Sequence, residues 1–267
     1  MWLKKIRLAA VPLSLLLVLS CVTTPVTKRD ALILIPYEQE LSLGKQAYKE
    51  LTEKEKESAD PRLNELVRRV AKRIAAVSDM PDLEWEFKLI DSPVQNAFCA
   101  PGGKVAVYTG ILPPAANEAG LAAILGHEVA HAIARHGAQR MSQQLILTGI
   151  LATAAISLEN NKNHHLIMAA LGLGATYGAT LPFSRMNESE ADEIGLVYMA
   201  RAGYDPNEAV NFWKRFASQK GPDQTAEFLS THPSDETRIQ DLQRLIPNSL
   251  KEYGSAMPQY GLGESFR

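Results

Sequence analysis

The alternation of apolar and polar positions changes its period near residue 83 and again near residue 117. From Tyr37 to Ser58, Leu41, Leu43, Ala47, Tyr48 and Leu51 recur among charged residues, which predicts an amphipathic helix. Asp60-Pro61 opens a second helix, with Pro61 suited to the first turn and Leu63, Leu66, Val67, Val70 and Ile74 as its buried stripe. Trp85, Phe87 and Leu89 then alternate with Glu84, Glu86 and Lys88, the period of a half-buried strand. Two more short runs, 96–100 and 104–109, flank Pro101-Gly102-Gly103 and predict a hairpin. An Ala/Leu/Ile-rich helix begins near Asn117, and a later one runs from Asn187 through Ala200 until Gly203 closes it. The pattern predicts a mainly helical α+β fold with a small antiparallel sheet ahead of the Asn117 helix.

Between those two helices lie apolar stretches at 145–158 and 166–183, separated by the polar run Glu159 to His165. The first is shorter than the roughly 20 residues that span a bilayer, and Gly172, Gly174 and Gly178 interrupt the second. Both are expected as buried or site-covering helices, the alternative being a hairpin that dips into a membrane. His164 and His165, in the polar turn, are expected to be solvated.

With 267 residues and 46% hydrophobic content the chain can bury a full core, and a net charge of −2 gives no electrostatic case for nucleic acid. The N-terminus reads as a targeting segment: Lys4, Lys5 and Arg7 precede an apolar run at 8–20 that is too short to span. Val18-Leu19-Ser20-Cys21 resembles a bacterial lipobox, which makes Cys21 the expected lipidated first residue of the mature chain. The expected organisation is a signal at 1–21, a tether at 22–36, a catalytic domain at 37–250 and a tail at 251–267. With Cys21 lipidated, Cys99 has no internal partner and is expected to be a small buried hydrophobe.

The chemistry concentrates in His127-Glu128-Val129-Ala130-His131. Histidines four apart share a helical face, and Glu128 projects about 100° round from His127. Two such imidazoles supply half of a zinc tetrahedron, and the carboxylate can reach water without ligating the metal. Leu121, Leu125, Val129, Ala132 and Ile133 lie opposite His127 and should pack this helix into a core. On a continued helical wheel His136 points to that apolar side and cannot join the pair. Downstream, Glu188 and Asp192 are again four apart, with Ala191 and Gly195 beside them, small enough for one helix to approach the other. Glu190 points about 200° from Glu188 and is expected to be solvated or structural. A Glu ligand from a second helix is the gluzincin arrangement.

These stretches, together with Asn96-Ala97-Phe98, Thr231-His232-Pro233 and Arg238, resemble the zinc metallopeptidase family of HtpX, the CAAX prenyl endopeptidases, the mitochondrial Oma-type proteases and the envelope proteases BepA and LoiP. The lipobox and the lack of obvious long membrane helices point to the soluble envelope branch, closest in kind to LoiP and BepA. The resemblance implies a zincin-like domain binding one zinc through His127, His131 and Glu188, with Glu128 as general base. It matches Asp192 to a second acidic residue that either holds a ligand imidazole, the preferred role, or manages a proton. It matches His232 to a histidine that can occupy the open metal position, against plain packing beside Pro233. Arg238 could pair with an oxyanion or merely with Asp235.

The expected activity is zinc-dependent endoproteolysis in the bacterial envelope, on the outer membrane if there is one, acting on unfolded or misassembled proteins. An extended peptide would add itself to the strand of Asn96, Ala97, Phe98, Cys99 and Ala100. The rivals are a latent, chaperone-like binding module closed by His232 and a zinc amidase for a non-peptide substrate. Oligomeric state is not legible.

Overall fold

The computed structural model describes residues 21–218, 232 and 236–266. Residues 1–20 of the signal expected at 1–21, and Thr231, Pro233 and Asp235, lie outside the described residues. A two-stranded antiparallel ribbon, β1 (Cys21–Thr23) and β2 (Asp30–Leu32), leads into α1 (Tyr37–Thr52) and α2 (Pro61–Val77). Asp60 caps α2 by accepting from the backbone N–H groups of Arg62 and Leu63, with Pro61 in the first turn as predicted.

Strands β3 (Glu86–Ile90), β4 (Ala97–Ala100) and β5 (Lys104–Tyr108) form a sheet in the order β3-β5-β4. The β4–β5 hairpin is antiparallel, Ala100 opposite Lys104, and Gly102 and Gly103 turn it at φ 85° and 77°. β3 joins the other side of β5 in parallel, so the sheet is mixed where a wholly antiparallel one was expected. Helix α2, which precedes β3 in the chain, packs on it, and the connection from β3 to β5 runs through β4, which is left at the edge. Val105 and Val107 face the main core, while Ala106 and Tyr108 face a smaller cluster covered by Tyr48 of α1.

The helical layer follows: α3 (Leu112–Ala115), α4 (Glu118–Ile133), α5 (His136–Ser157), α6 (His164–Ala175), one π-helical turn at Thr176–Thr180, α7 (Leu181–Arg201), α8 (Asn207–Ser218) and α9 (Glu236–Ser255). Helices α4 and α7 pack against each other at a crossing made by Gly126 and Gly195. A Cβ on Gly126 would lie 2.6 Å from Gly195 O, and one on Gly195 would lie 2.7 Å from His127 N. No side chain fits between these backbones, so the predicted close approach is reached without any methyl in the gap.

Three expectations change. Residues 22–36 are not a free tether: the ribbon docks on the body through Thr24, Thr27 and Arg29, all bonded to Glu190. The tail is also docked, since Leu262 O and Glu264 O accept from the N–H groups of Ala119 and Glu118. The apolar stretches at 145–158 and 166–183 do not cover the site. Burial along α5 ends at Ser142, α6 buries no residue, and Ile156 and Leu166 are 75% and 73% exposed. Composition predicts that these residues leave water but not what they enter.

Gly195→Ala is expected to lower stability by about 1–3 kcal/mol, because a methyl must push two helix backbones apart. Urea unfolding checks this, and an unchanged midpoint would show that the crossing can relax at no cost.

Candidate metal centre

Helix α4 is fixed at both ends before it presents any chemistry. At its start Asn117 caps Gly120 N, and the carboxylate of Glu118 is held by Arg69, Arg73 and the hydroxyl of Tyr204. At its end Arg135 adopts the left-handed conformation, φ 59° and ψ 38°. Its guanidinium donates to Glu40 Oε2 at 2.6 Å and lies over the Tyr37 ring, so α1 holds the strained residue in place. The chain turns there, and His136 begins a new helix beneath His131.

His127, His131, Glu188 and His232 each offer a ligand atom, and all four atoms lie within 4.8 Å of one another. His127 Nε2 and His131 Nε2 are 3.0 Å apart, and each stands 3.3 Å from an oxygen of Glu188. His232 Nδ1 lies 2.9 Å from Glu188 Oε2 and 3.1 Å from His127 Nε2. Neutral imidazole nitrogens and a carboxylate converging on one point are the donor set zinc prefers. Beside them Glu128 is buried; among the described residues its Oε1 accepts no hydrogen bond, and His232 Nε2, 3.3 Å away, pairs with it when protonated. A buried carboxylate oxygen that accepts no hydrogen bond is costly unless the site's chemistry uses it. The residues fit a metal ion.

Each ligand histidine is held from behind. His127 Nδ1 donates to Asp192 Oδ1 at 2.9 Å, leaving Nε2 with its lone pair toward the cluster. Asp192 is in turn gripped by Arg238 through Nε at 2.8 Å and Nη2 at 2.6 Å, and that guanidinium lies 3.7 Å over the Trp213 ring. On the other side His136 Nε2 donates to Glu190 Oε2 at 3.0 Å, so its Nδ1 can accept from His131 Nδ1 at 2.8 Å. That bond frees His131 Nε2 for the metal. Glu190 is completed by Arg29, Thr24 and Thr27 of the ribbon.

These contacts set the protonation states. Burial opposes charge on His127, yet the bonds to Asp192 and Glu188 raise it to about 9. Burial lowers both His131 and His136, favouring their neutral forms. Burial works against the Glu188 carboxylate, but His127, His131 and His232 hold it well below the usual range. Burial raises Glu128 above the ordinary carboxylate value, against the opposing pull of His232 and His127.

The centre opens into a cleft of about 540 Å³. Glu128, His131 and His232 line one part of it, Asn96, Phe98 and Cys99 the strand side, and Arg140 and Ser184 the rim. The edge strand predicted to receive a peptide therefore stands at the site. Burial pushes the Cys99 thiol up, in keeping with an inert wall residue.

Residues 61–246, more than half of the chain, match Peptidase family M48. The chain belongs to that peptidase family. The mitochondrial metalloendopeptidase OMA1 of Schizosaccharomyces pombe is 38% identical over 231 residues, covering 84% of this chain and 66% of its own length. The human metalloendopeptidase OMA1 is 31% identical over 242 residues, covering 85% and 46%. The beta-barrel assembly-enhancing protease of Escherichia coli K12 is 29% identical over 208 residues, covering 76% and 43%. This M48 chain thus spans less than two thirds of these three relatives.

In this M48 site the sequence reading brought together His127, Glu128, His131, Glu188, Asp192 and His232, and the structure places all six in one cluster. Arg238 takes a partner that neither reading had considered, Asp192. His136, set aside on the wheel, supports His131, and Glu190, expected to be solvated or structural, is the buried structural partner of His136. The wheel failed because it carried α4 across Arg135, where the helix ends.

His136→Ala is expected to weaken zinc binding by about 10–100-fold while leaving the fold intact, because His131 loses its orienting acceptor. Competition with a chromophoric chelator measures this, and unchanged affinity would reduce His136 to packing. A second expectation follows from His127, whose pKa of about 9 in the metal-free protein stands above the ordinary 6.5. Its contribution to metal-free stability is full below about 6.5 and is lost as pH rises through about 9. Zinc must displace that proton, so zinc affinity rises with pH over the same window. Titration calorimetry in two buffers of different ionisation enthalpy should show proton release at pH 7.

Proposed function

We propose that this M48 chain is a zinc-dependent endopeptidase of the bacterial cell envelope that cleaves unfolded or misassembled polypeptides. One observation carries the reading: the buried Glu128 carboxylate, 3.3 Å from His232, stands beside a convergent His/Glu donor set, in a cleft walled by β4, an edge strand among the described residues. A peptide aligned on β4 would be bound through its backbone, which favours extended segments over a particular sequence. Asn96, Ala97, Phe98, Cys99 and Ala100 form that binding edge. His127, His131 and Glu188 would hold the zinc, which when bound supplies a Lewis acid that acidifies water and polarises the scissile carbonyl. Glu128 takes the proton of the attacking water and passes it to the leaving amine. Asp192 and Arg238 hold His127 in the ligating tautomer and take no part in the proton transfer.

The envelope assignment is supported by the lipobox-like run ending at Cys21, which is exposed at the first residue of β1. Lipid on Cys21 would tether the enzyme to a membrane. The beta-barrel assembly-enhancing proteases among its relatives favour envelope proteins as substrates; the OMA1 relatives are mitochondrial and favour no bacterial substrate.

A second reading, a latent form that binds polypeptides without cutting them, is favoured by His232. Its Nδ1 is as close to Glu188 as a metal ligand would be to its neighbours, so it can fill the position water needs.

Glu128→Gln is expected to keep its zinc and lose cleavage of an unfolded protein by at least about a hundredfold; retained cleavage would remove Glu128 from the mechanism. Glu188→Ala is expected to lower zinc content. If the resting enzyme is latent, His232→Ala raises turnover; a fall instead would assign His232 to catalysis.

A further inference from the structure

We propose that α5 and the continuous α6–α7 arm form a hairpin that spans a lipid bilayer, so that the catalytic cleft opens at the membrane surface. The insertion stands on the geometry alone; only its consequence for substrates rests on the peptidase reading.

No Asp, Glu, Lys or Arg occurs from Met141 to Leu158 or from Asn163 to Ser184. The helix running from His164 to Arg201 contains an 18-residue window of mean hydropathy 1.4, none of it buried in the protein. Large side chains point outward along both arms, among them Ile150 at 58%, Leu173 at 60% and Tyr177 at 68% exposure. A contiguous apolar surface of this size is not left in water.

Three features select a bilayer and a crossing orientation. First, the arms carry no charged side chain on any face, and the glutamines Gln143 and Gln144 sit at the base of α5. A helix lying in the membrane interface keeps a charged face, and these have none. Second, at 1.5 Å per residue the uncharged runs are about 27 and 33 Å long, close to a hydrocarbon core of about 30 Å, although only the α6–α7 arm is long and apolar enough to cross by itself among the described residues. The charges sit at the two ends: exposed Arg140 and Arg185 at the body, Glu159 and Lys162 at the tip. A hairpin that dipped only halfway would leave those charges in hydrocarbon, where an unpaired charge is strongly disfavoured. Third, the hydroxyls of Thr153, Ser157, Thr176 and Thr180 donate to carbonyls of their own helix at 2.8–3.2 Å, so these polar groups need no water.

The rest of the molecule agrees with this placement. Cys21 pairs with Leu32, and two residues later Leu34 N donates to Ser142 Oγ at the base of α5. The point where the apolar 8–20 run joins the body is thus beside the hairpin base. Arg140 and Ser184, which close that base, also rim the cleft. Arg140 and Arg185 would meet anionic headgroups at this level. The scissile strand would then be taken from polypeptide emerging from, or lying on, the same membrane.

The test uses the full chain reconstituted in sealed vesicles of phosphatidylethanolamine and phosphatidylglycerol, carrying either Asn161→Cys at the tip or Lys54→Cys on the body. Each is labelled with a membrane-impermeant maleimide before and after detergent, against the parent chain as background. Spanning predicts complementary fractions: molecules that expose Lys54→Cys outside protect Asn161→Cys. With incorporation biased so that most molecules expose Lys54→Cys outside, equal fractions overturn the proposal, whether the hairpin lies flat on lipid or is covered by a second copy of the chain. Ile150→Asp with Leu173→Asp is expected to convert complementary fractions to equal ones while cleavage of a water-soluble unfolded protein stays within about twofold. Complementary labelling without any cleavage would sink the peptidase reading and leave the hairpin standing.

Discussion

Two helix backbones can touch only where neither carries a side chain, and in this molecule that condition is met where Gly126 faces Gly195. The contact sits one residue before His127 and one helical turn or two beyond Asp192 and Glu188. Because the backbones are locked there, the imidazoles of α4 and the carboxylates of α7 meet without freedom to drift. Every distance in the metal centre depends on that crossing. The capping of α4 by Asn117 and by the tail carbonyls, and the clamp on Arg135 by Glu40, fix the remaining degrees of freedom along its axis.

Around this crossing the charges are arranged in pairs that would be ruinous singly. Glu188, Asp192, Glu190 and Arg238 are all nearly excluded from water. A buried charge persists only when opposing charge and hydrogen bonds replace its solvent. Arg238 serves Asp192, Asp192 serves His127, and the ribbon's Arg29 serves Glu190, which serves His136 and through it His131. The outcome is a donor set whose lone pairs are aimed before any metal arrives. Glu128 is the exception: among the described residues its Oε1 accepts no hydrogen bond and faces only His232, and such a carboxylate beside a cleft belongs to chemistry better than to stability.

Much of this could be read from the chain because its cause is local. Pro61 after Asp60, the alternation through Phe87 and Leu89, the glycines after Pro101 and the four-residue spacings of His127 with His131 and Glu188 with Asp192 each act within one element. What escaped depends on contacts between distant residues. Arg135 is a helix former by propensity, and only Glu40 and Tyr37, nearly a hundred positions earlier, make its left-handed turn tolerable. His136 therefore looked misplaced on a wheel that was drawn too long, while Glu190, structural as one expectation had it, could not be paired with His136 from sequence. The parallel pairing of β3 and the docking of residues 22–36 are likewise decided by partners far away in sequence.

The apolar stretches between the ligands pose a different problem, since hydropathy reports a preference for leaving water and is silent on the destination. The topology supplies what composition lacks. His131 ends α4 and Glu188 lies on α7, yet both must meet at one point, so the chain between them has to leave the body and return to its place of departure. Ser142 near the start and Asn187 near the finish are buried, and everything between projects outward as two helices. An excursion anchored in this way can change length or composition without moving a ligand. Catalytic geometry is thus set by the glycine crossing and the buried pairs, while the hairpin is free to decide which surface that geometry faces.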